Sequence, residues 1–296
     1  SYLRAFGFSK EPLYASIIGN VINFCLNAFF LFVLHKGVAG VATATVISRI
    51  INLVIVVLLG AVLVKAKQHP ERESNREVMG QIIRIGLPSA CETAIYNVSM
   101  TLVIRFLNQM DAQGLNVTAR SYTMQITNFS YCVGAALAQA NAIMTGWHIG
   151  AKEYDACDRG TKKAAVIGVI VAVILETVFT LCSGWIMQLF SKDPQMVSLV
   201  GKLLAIDIVL EMGRVTNLVY GQALKTSGDA VFPVVMGACF MILCSVGGTY
   251  LFGIRLGLLA VGAYIGMTGD ECVRAVGMYL RWKSGKWKEK GLVKSR

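Results

Sequence analysis

In the stretch AIDIVLEMGRVTNLVYGQALKTSGDAVFP, which starts at Ala205, three ionisable residues fall within eight positions of an otherwise apolar helical pattern: Asp207, Glu211 and Arg214. Glu211 and Arg214 are three apart, so they share one helix face and can pair, and Asp207 lies one turn earlier on the same side. Inside a membrane each such charge costs about 2.5–3.5 kcal/mol on insertion scales. Three together therefore read either as a buried pair that pins helix packing or as a polar site that a small cation or a proton visits. Two more carboxylates fit the second chemistry. Glu92 follows Pro88 by four residues in RIGLPSACE. A proline lacks the amide proton, which can free a carbonyl one turn back, and a carboxylate one turn on could bind Na⁺ or carry H⁺. Glu176 stands alone in AVILETVFTL, and a lone carboxylate among aliphatics is expected in its neutral form.

Uncharged polar residues suggest the walls of such a site. Gln125, Asn128 and Tyr131 lie in one apolar stretch, with Asn97 and Asn217 in two others. They suit either a water-filled cavity or hydrogen bonds between helices. Arg105, Arg120, Lys202 and Arg274 lie nearer the ends of their stretches, where long basic side chains snorkel to the interface.

The elements that must carry these groups are membrane spans. The chain of 296 residues is 55% hydrophobic and 15% charged, against roughly 25% charged in soluble domains, and its mean hydropathy is +0.60. Crossing a bilayer takes about 20 apolar residues. Eight stretches qualify, at 12–34, 41–64, 81–107, 117–146, 164–190, 196–222, 232–253 and 258–280. They are too long and too uniformly apolar for barrel strands, so the expected fold class is an all-α integral membrane bundle. The organisation that follows is two spans in 1–64, a polar cytoplasmic linker at 65–80, six spans in 81–281 and a basic cytoplasmic tail at 282–296. The segment 147–163, WHIGAKEYDACDRGTKK, reads as an interfacial connection.

The net charge of +11 does not point to nucleic acid, because the charges alternate by loop. One set of alternate segments holds eighteen of the 28 Lys and Arg residues, and the opposite loops hold three, Lys36, Lys192 and Arg255. By the positive-inside rule both ends face the cytoplasm, with the chain multi-pass in the cell membrane. The eight cysteines show no CxxC spacing and read as small buried hydrophobes. The three histidines do not cluster, so no metal site is expected beyond Na⁺ at Glu92 or Glu211. GxGxxG, P-loop and nucleophile-triad signatures are not in this sequence, and neither enzymatic catalysis nor a cofactor is expected.

The chain repeats itself. LRAFGFSKEP from Leu3 matches LKTSGDAVFP from Leu224, pairing Arg4 with Lys225, Gly7 with Gly228 and Pro12 with Pro233. GVAGVATATVIS from Gly37 then matches GLLAVGAYIGMT from Gly257. If two equivalent halves exist, roughly 140 residues and four spans would precede this sequence, as in secondary transporters built from repeats.

With SYLRAFGFSKEP, GVAGVATATVISR, RIGLPSACE and above all LEMGRVTNLVYGQALKTSGDAVFP, the chain resembles the multidrug and toxic compound extrusion (MATE) transporters over essentially its whole length. The resemblance implies a V-shaped fold of two six-helix lobes, of which this chain supplies the fifth to twelfth helices, and a monomer when complete. It implies export of small organic, often cationic, compounds in exchange for Na⁺ or H⁺, with the coupling ion open. It also places carboxylates in the seventh and tenth helices, where Glu92 and Glu211 fall. The alternative within the wider superfamily is a flippase for a lipid-linked oligosaccharide, which would need a cavity rich in cationic side chains.

Overall fold

The computed structural model describes residues 3, 8, 10–65, 75–111 and 113–290. Nine helices follow among them: α1 (Lys10–Val33), α2 (Gly37–Lys65), α3 (Asn75–Met110), α4 (Leu115–Gly150), α5 (Tyr154–Leu181), the short α6 (Ser183–Met187), α7 (Pro194–Thr226), α8 (Val231–Arg255) and α9 (Leu259–Lys283). A 3-10 turn at Lys286–Lys290 follows α9. Apart from α6 these are the eight expected spans, and no strand occurs among the described residues. Most of the linker expected at 65–80 and the last six residues of the expected tail lie outside the described residues, as do Arg4 and Gly7 of the repeat.

Two compact units divide the chain, Ser1–Glu73 and Ser74–Arg296. In the first, α1 and α2 form a helical hairpin whose turn puts His35 and Gly37 in the left-handed region, at φ 49° and 54°. Small residues meet between the helices. The buried positions are Ala15, Gly19, Ala44 and Ser48, and the Asn23 amide donates to the Ser48 hydroxyl at 3.0 Å. Bulky Phe24, Phe32 and Val62 point outward. That inversion suits lipid, where apolar surface needs no cover and close packing of small residues holds helices together.

The second unit is a bundle around α7, which packs against α4, α5 and α9, while α8 joins α9 and α3 at one side. Leu203, Leu204, Leu210, Val215, Val219 and Leu224 of α7 are fully buried among residues of its neighbours. Its start is set by Asp193, whose side chain accepts from the Gln195 N–H at 3.0 Å, with Pro194 in the first turn where no amide is needed. Glycines let α9 approach both partners. A Cβ on Gly262 would sit 2.4–2.5 Å from Phe252 and Gly253 backbone atoms of α8, and one on Gly213 would sit 3.0 Å from the backbone of Glu271 and Cys272.

Three local expectations are corrected. The segment 147–163 is helical except for a short link, because α5 starts at Tyr154 rather than 164. Its extra turns bury Cys157 and Thr161 on one face and expose Arg159, Lys162 and Lys163 on the other, a pattern the polar composition disguised. Helix α3 begins at Asn75, inside the interval read as linker. Of the cysteines only Cys157 is buried; Cys25, Cys91, Cys132, Cys182 and Cys239 lie on outward faces, where lipid accepts a small apolar side chain as well as a core does. Asn116 is buried, donates to Asp111 and accepts from the Ala260 N–H at 3.1 Å.

Two predictions follow from this packing. Gly262→Ala forces backbone apart and should lower the midpoint of thermal unfolding in detergent, by about 1–3 kcal/mol of overpacking, whereas Gly160→Ala, with open space around it, should leave the midpoint unchanged or raise it. In the loop before α4, Asp111 accepts from the Asn116 and Leu115 N–H groups at 3.0 and 3.1 Å. The Asn116 backbone N–H, more than the Asn116 side chain and the Leu115 N–H, holds the Asp111 carboxyl below its ordinary value. A carboxyl lowered in the folded state stabilises above its unfolded value, and that contribution is lost as pH falls through the folded one. Asp111→Ala should therefore speed hydrogen exchange at Leu115 and Asn116 near neutrality, with a cost of about 1 kcal/mol. The difference from the parent should vanish in strong acid.

Candidate functional site

Four helices of the second unit turn one polar stripe each toward a common cavity of about 540 Å³. From α3 come Glu92, Tyr96, Asn97 and Met100; from α4, Arg120, Met124, Thr127, Asn128 and Tyr131. Asp207, Arg214, Asn217 and Lys225 come from α7, and Tyr264, Met267, Glu271, Arg274 and Met278 from α9. Along each helix the named residues recur at one- or two-turn intervals, with the adjacent pairs Tyr96–Asn97 and Thr127–Asn128 widening the stripe, so each stripe is a single face. Helix α8 adds Pro233 and Met241.

A chain of ion pairs runs along the α7–α9 side. Arg214 Nη1 donates to Glu211 Oε2 at 2.8 Å, so the pairing read from the i, i+3 spacing is present. The same guanidinium lies 3.6 Å from Glu271 Oε1. Glu271 also receives Arg274 Nη2 at 2.9 Å and the Asn217 amide at 3.1 Å. Arg274 in turn holds Asp270 at 2.8 and 3.0 Å, and Asp270 accepts from the Ser245 hydroxyl of α8 at 2.9 Å. Glu271 is thus a carboxylate shared by two guanidinium groups, and the close approach at Gly213 brings it there. On the far side, Lys225 of α7 donates to Glu92 of α3, so Glu92 is held as one half of an ion pair.

Behind this wall lie carboxylates with spare oxygens. Glu176 of α5 is fully buried and neither of its oxygens has a hydrogen-bond partner. It lies within electrostatic range of Asp207, Glu211 and Arg214. One oxygen each of Asp207 and Glu211 is likewise buried without a partner.

Of the residues singled out from sequence, Glu92, Asn97, Asn128, Tyr131, Asp207, Arg214 and Asn217 face the cavity. Glu176 and Glu211 are packed behind it and reach it only through Asp207 and Arg214. Gln125 is exposed and off the lined face, because it follows Met124 by one residue and so by about a quarter turn or more. Arg120 and Arg274 do not snorkel. Both are about 5% exposed and line the cavity, since the bundle offers them a polar interior nearer than the membrane surface. Sequence reading missed Asp270 and Glu271 altogether. The signal was there: Asp270 and Glu271 precede Arg274 by four and three residues, the same acid-to-arginine spacing as Glu211 and Arg214. It missed the methionines too, five of the chain's twelve being on the cavity wall.

A sequence model of the MatE family matches residues 88–251, more than half of the chain. Among curated proteins the chain is 33% identical to the uncharacterized transporter YisQ of Bacillus subtilis, over 98% of this chain and 65% of that protein. It is 22% identical to the probable multidrug resistance protein YoeA of the same organism, over 99% of this chain and 65% of that protein. The chain therefore spans 65% of the length of each of these two relatives. Among solved structures it superposes on the eukaryotic MATE transporter AtDTX14 with a TM-score of 0.88, at 18% identity over 98% of this chain and 65% of that one. It also superposes on an outward-facing multidrug resistance MATE family transporter with a TM-score of 0.82, at 20% identity over 98% of this chain and 66% of that one. The helical fold, its polar cavity and the family match agree, and the chain belongs to the MatE family.

Proposed function

We propose that this protein is an ion-coupled antiporter that exports small organic compounds by alternating access, with Na⁺ or H⁺ entering in exchange. The observation that carries the reading is the buried network joining Glu211, Arg214, Glu271 and Arg274 at the wall of a cavity in a membrane bundle. Ionised groups there are expensive, and a network with spare carboxylate oxygens can accept a cation or a proton. Arg214 occupies the place between Glu211 and Glu271 that such an ion would compete for. Displacing the guanidinium changes what holds α7 to α9, and an ion that binds one arrangement better shifts the bundle toward it.

The relatives' names, multidrug resistance proteins among them, support organic cargo. The methionines and tyrosines of the wall suit varied amphiphilic molecules, because thioethers adapt their shape. A pyrophosphate-binding flippase finds less support, since three of the four basic residues lining the cavity are already held by carboxylates. The charge bias of the loops favours a cell-membrane protein with residues 10 and 290 on the cytoplasmic side, working as a monomer.

The test is ethidium efflux from cells expressing the complete gene, with sodium and proton gradients collapsed separately. Glu211→Gln and Glu92→Gln should each reduce driven efflux at least about tenfold, and Arg214→Ala should remove the dependence on the coupling gradient. Wild-type efflux from Glu211→Gln would sink the assignment. Folding is followed in parallel: Glu271→Ala leaves Arg214 to Glu211 and Arg274 to Asp270 but removes the carboxylate that joins them, and should lower the thermal midpoint by about 1–3 kcal/mol, with Glu271→Gln milder.

A further inference from the structure

At the end of the bundle where α4 passes into α5, an open cavity of about 550 Å³ lies apart from the polar one between the helices. Its basic wall comes from three places: Lys152 in the α4–α5 link, Arg159 in the second turn of α5, and Lys288 in the 3-10 turn after α9. The fold fixes them there. Lys152 sits at φ 60°, in the left-handed region where glycine is the unstrained residue, yet the position carries a long cationic side chain. Lys288 is held in place by its neighbour: Trp287 is buried, stacks on Trp282 at 4.2 Å and meets Tyr154 edge-on at 6.0 Å. The Trp282 indole N–H donates in turn to Asp158 of α5 at 2.9 Å. Among the described residues none of the three cations has a carboxylate at ion-pair distance. Two carboxylates share the cavity, but Glu153 lies 2.9 Å from the His148 Nδ1, and Asp155 stands in the first turn of α5, where a helix N-terminus favours negative charge.

The face of α5 that carries Arg159 continues through Lys163 to Val166, Ile170, Ile174 and Val178, at steps of three or four residues. These four aliphatic side chains are exposed, by 58%, 53%, 56% and 48%. From Val166 to Val178 the helix rises about 18 Å, against roughly 15 Å of hydrocarbon in one leaflet, half of the bilayer core. A cationic cavity at the head of an exposed apolar stripe of that length has the outline of a phospholipid. The surroundings supply the sign. Segments 147–163 and 281–290 together hold nine Lys and Arg residues against four Asp and Glu, and basic clusters at the ends of membrane spans attract anionic headgroups.

We propose that this cavity binds the headgroup of an anionic phospholipid, its phosphate received by Lys152, Arg159 and Lys288 and an acyl chain lying along Val166, Ile170 and Ile174. One lipid then touches the α4–α5 link, α5 and the turn after α9 at once. The inference goes beyond the antiport reading and depends on neither cargo nor coupling ion, only on the bundle lying in a bilayer.

The purified product of the complete gene, stripped of lipid in detergent, is titrated with dioleoyl phosphatidylglycerol and, separately, with the phosphatidylcholine and phosphatidylethanolamine of the same acyl chains. Bound lipid is read by native mass spectrometry. The first phosphatidylglycerol should bind at least about tenfold more tightly than phosphatidylcholine. Lys152→Gln, Arg159→Gln and Lys288→Gln combined should bring that ratio to near one, and Lys192→Gln with Arg255→Gln, at the other end of the bundle, should leave it intact. Lys152→Gly relieves the left-handed residue, so it should hold or raise the thermal midpoint while lowering the ratio, and it decides the matter if the triple variant does not fold. Phosphatidylcholine or phosphatidylethanolamine bound as tightly as phosphatidylglycerol overturns the proposal. So does a ratio unchanged in the triple variant or in Lys152→Gly, or one lost equally in the variant of the other end. Displacement of the bound lipid by millimolar inorganic phosphate also overturns it, since the cavity would then be a site for free anions.

Discussion

The constraint behind this structure is that charge inside a membrane bundle must be matched by charge. Glu271 is where the matching converges. Its carboxylate takes Arg274 from its own helix, and Arg214 and Asn217 from α7. Each arginine also has a carboxylate on its own helix, Glu211 for Arg214 and Asp270 for Arg274, and Glu271 joins the two pairs. Together they form one network, and the requirement that the two meet fixes how closely α7 and α9 approach, an approach that a side chain at Gly213 would obstruct. The packing of the second unit and the chemistry of its cavity are therefore one fact seen from two sides.

That constraint also divides the labour among helices. By length and composition α1, α2, α5 and α8 are apolar enough to cross a membrane on their own terms. The other four long helices, α3, α4, α7 and α9, carry more polar residues among their apolar ones, and they supply nearly all of the cavity wall. Polar stripes weaken a helix as an isolated span and make it suitable for facing an enclosed, polar interior. The outer surface is bulky and apolar, unlike that of a soluble domain, while the interior combines packed leucines, valines and aromatics with buried polar groups.

Carboxylates with spare oxygens lie behind the cavity at Glu176 and Glu211 and on its wall at Asp207. They give the bundle more places for positive charge than it has fixed cations to fill them. Arg120 of α4 is a fixed cation with no carboxylate at ion-pair distance among the described residues. The two deficits lie on different helices. This complementarity underlies the antiport reading.

The eight long helices were legible from the run of apolar residues, because span length is a property of consecutive positions and the bilayer sets it. The Glu211–Arg214 pair was legible for the same reason, three residues on a helix being neighbours whatever surrounds them. By that rule Asp270, Glu271 and Arg274 were readable too. What local spacing does not contain is which faces meet. Glu92 and Lys225 are separated by 133 positions and Asn217 and Glu271 by 54. Their pairing, the burial of Arg120 without a partner, the exposure of Gln125 and the withdrawal of Glu176 behind the wall are set by helix rotation and approach. Sequence alone determined that charges would sit inside a membrane bundle. Only the tertiary structure decided which of them face the cavity and which pairs are joined across helices, Lys225 to Glu92 and Arg214 and Asn217 to Glu271, because helix rotation and approach set which faces meet.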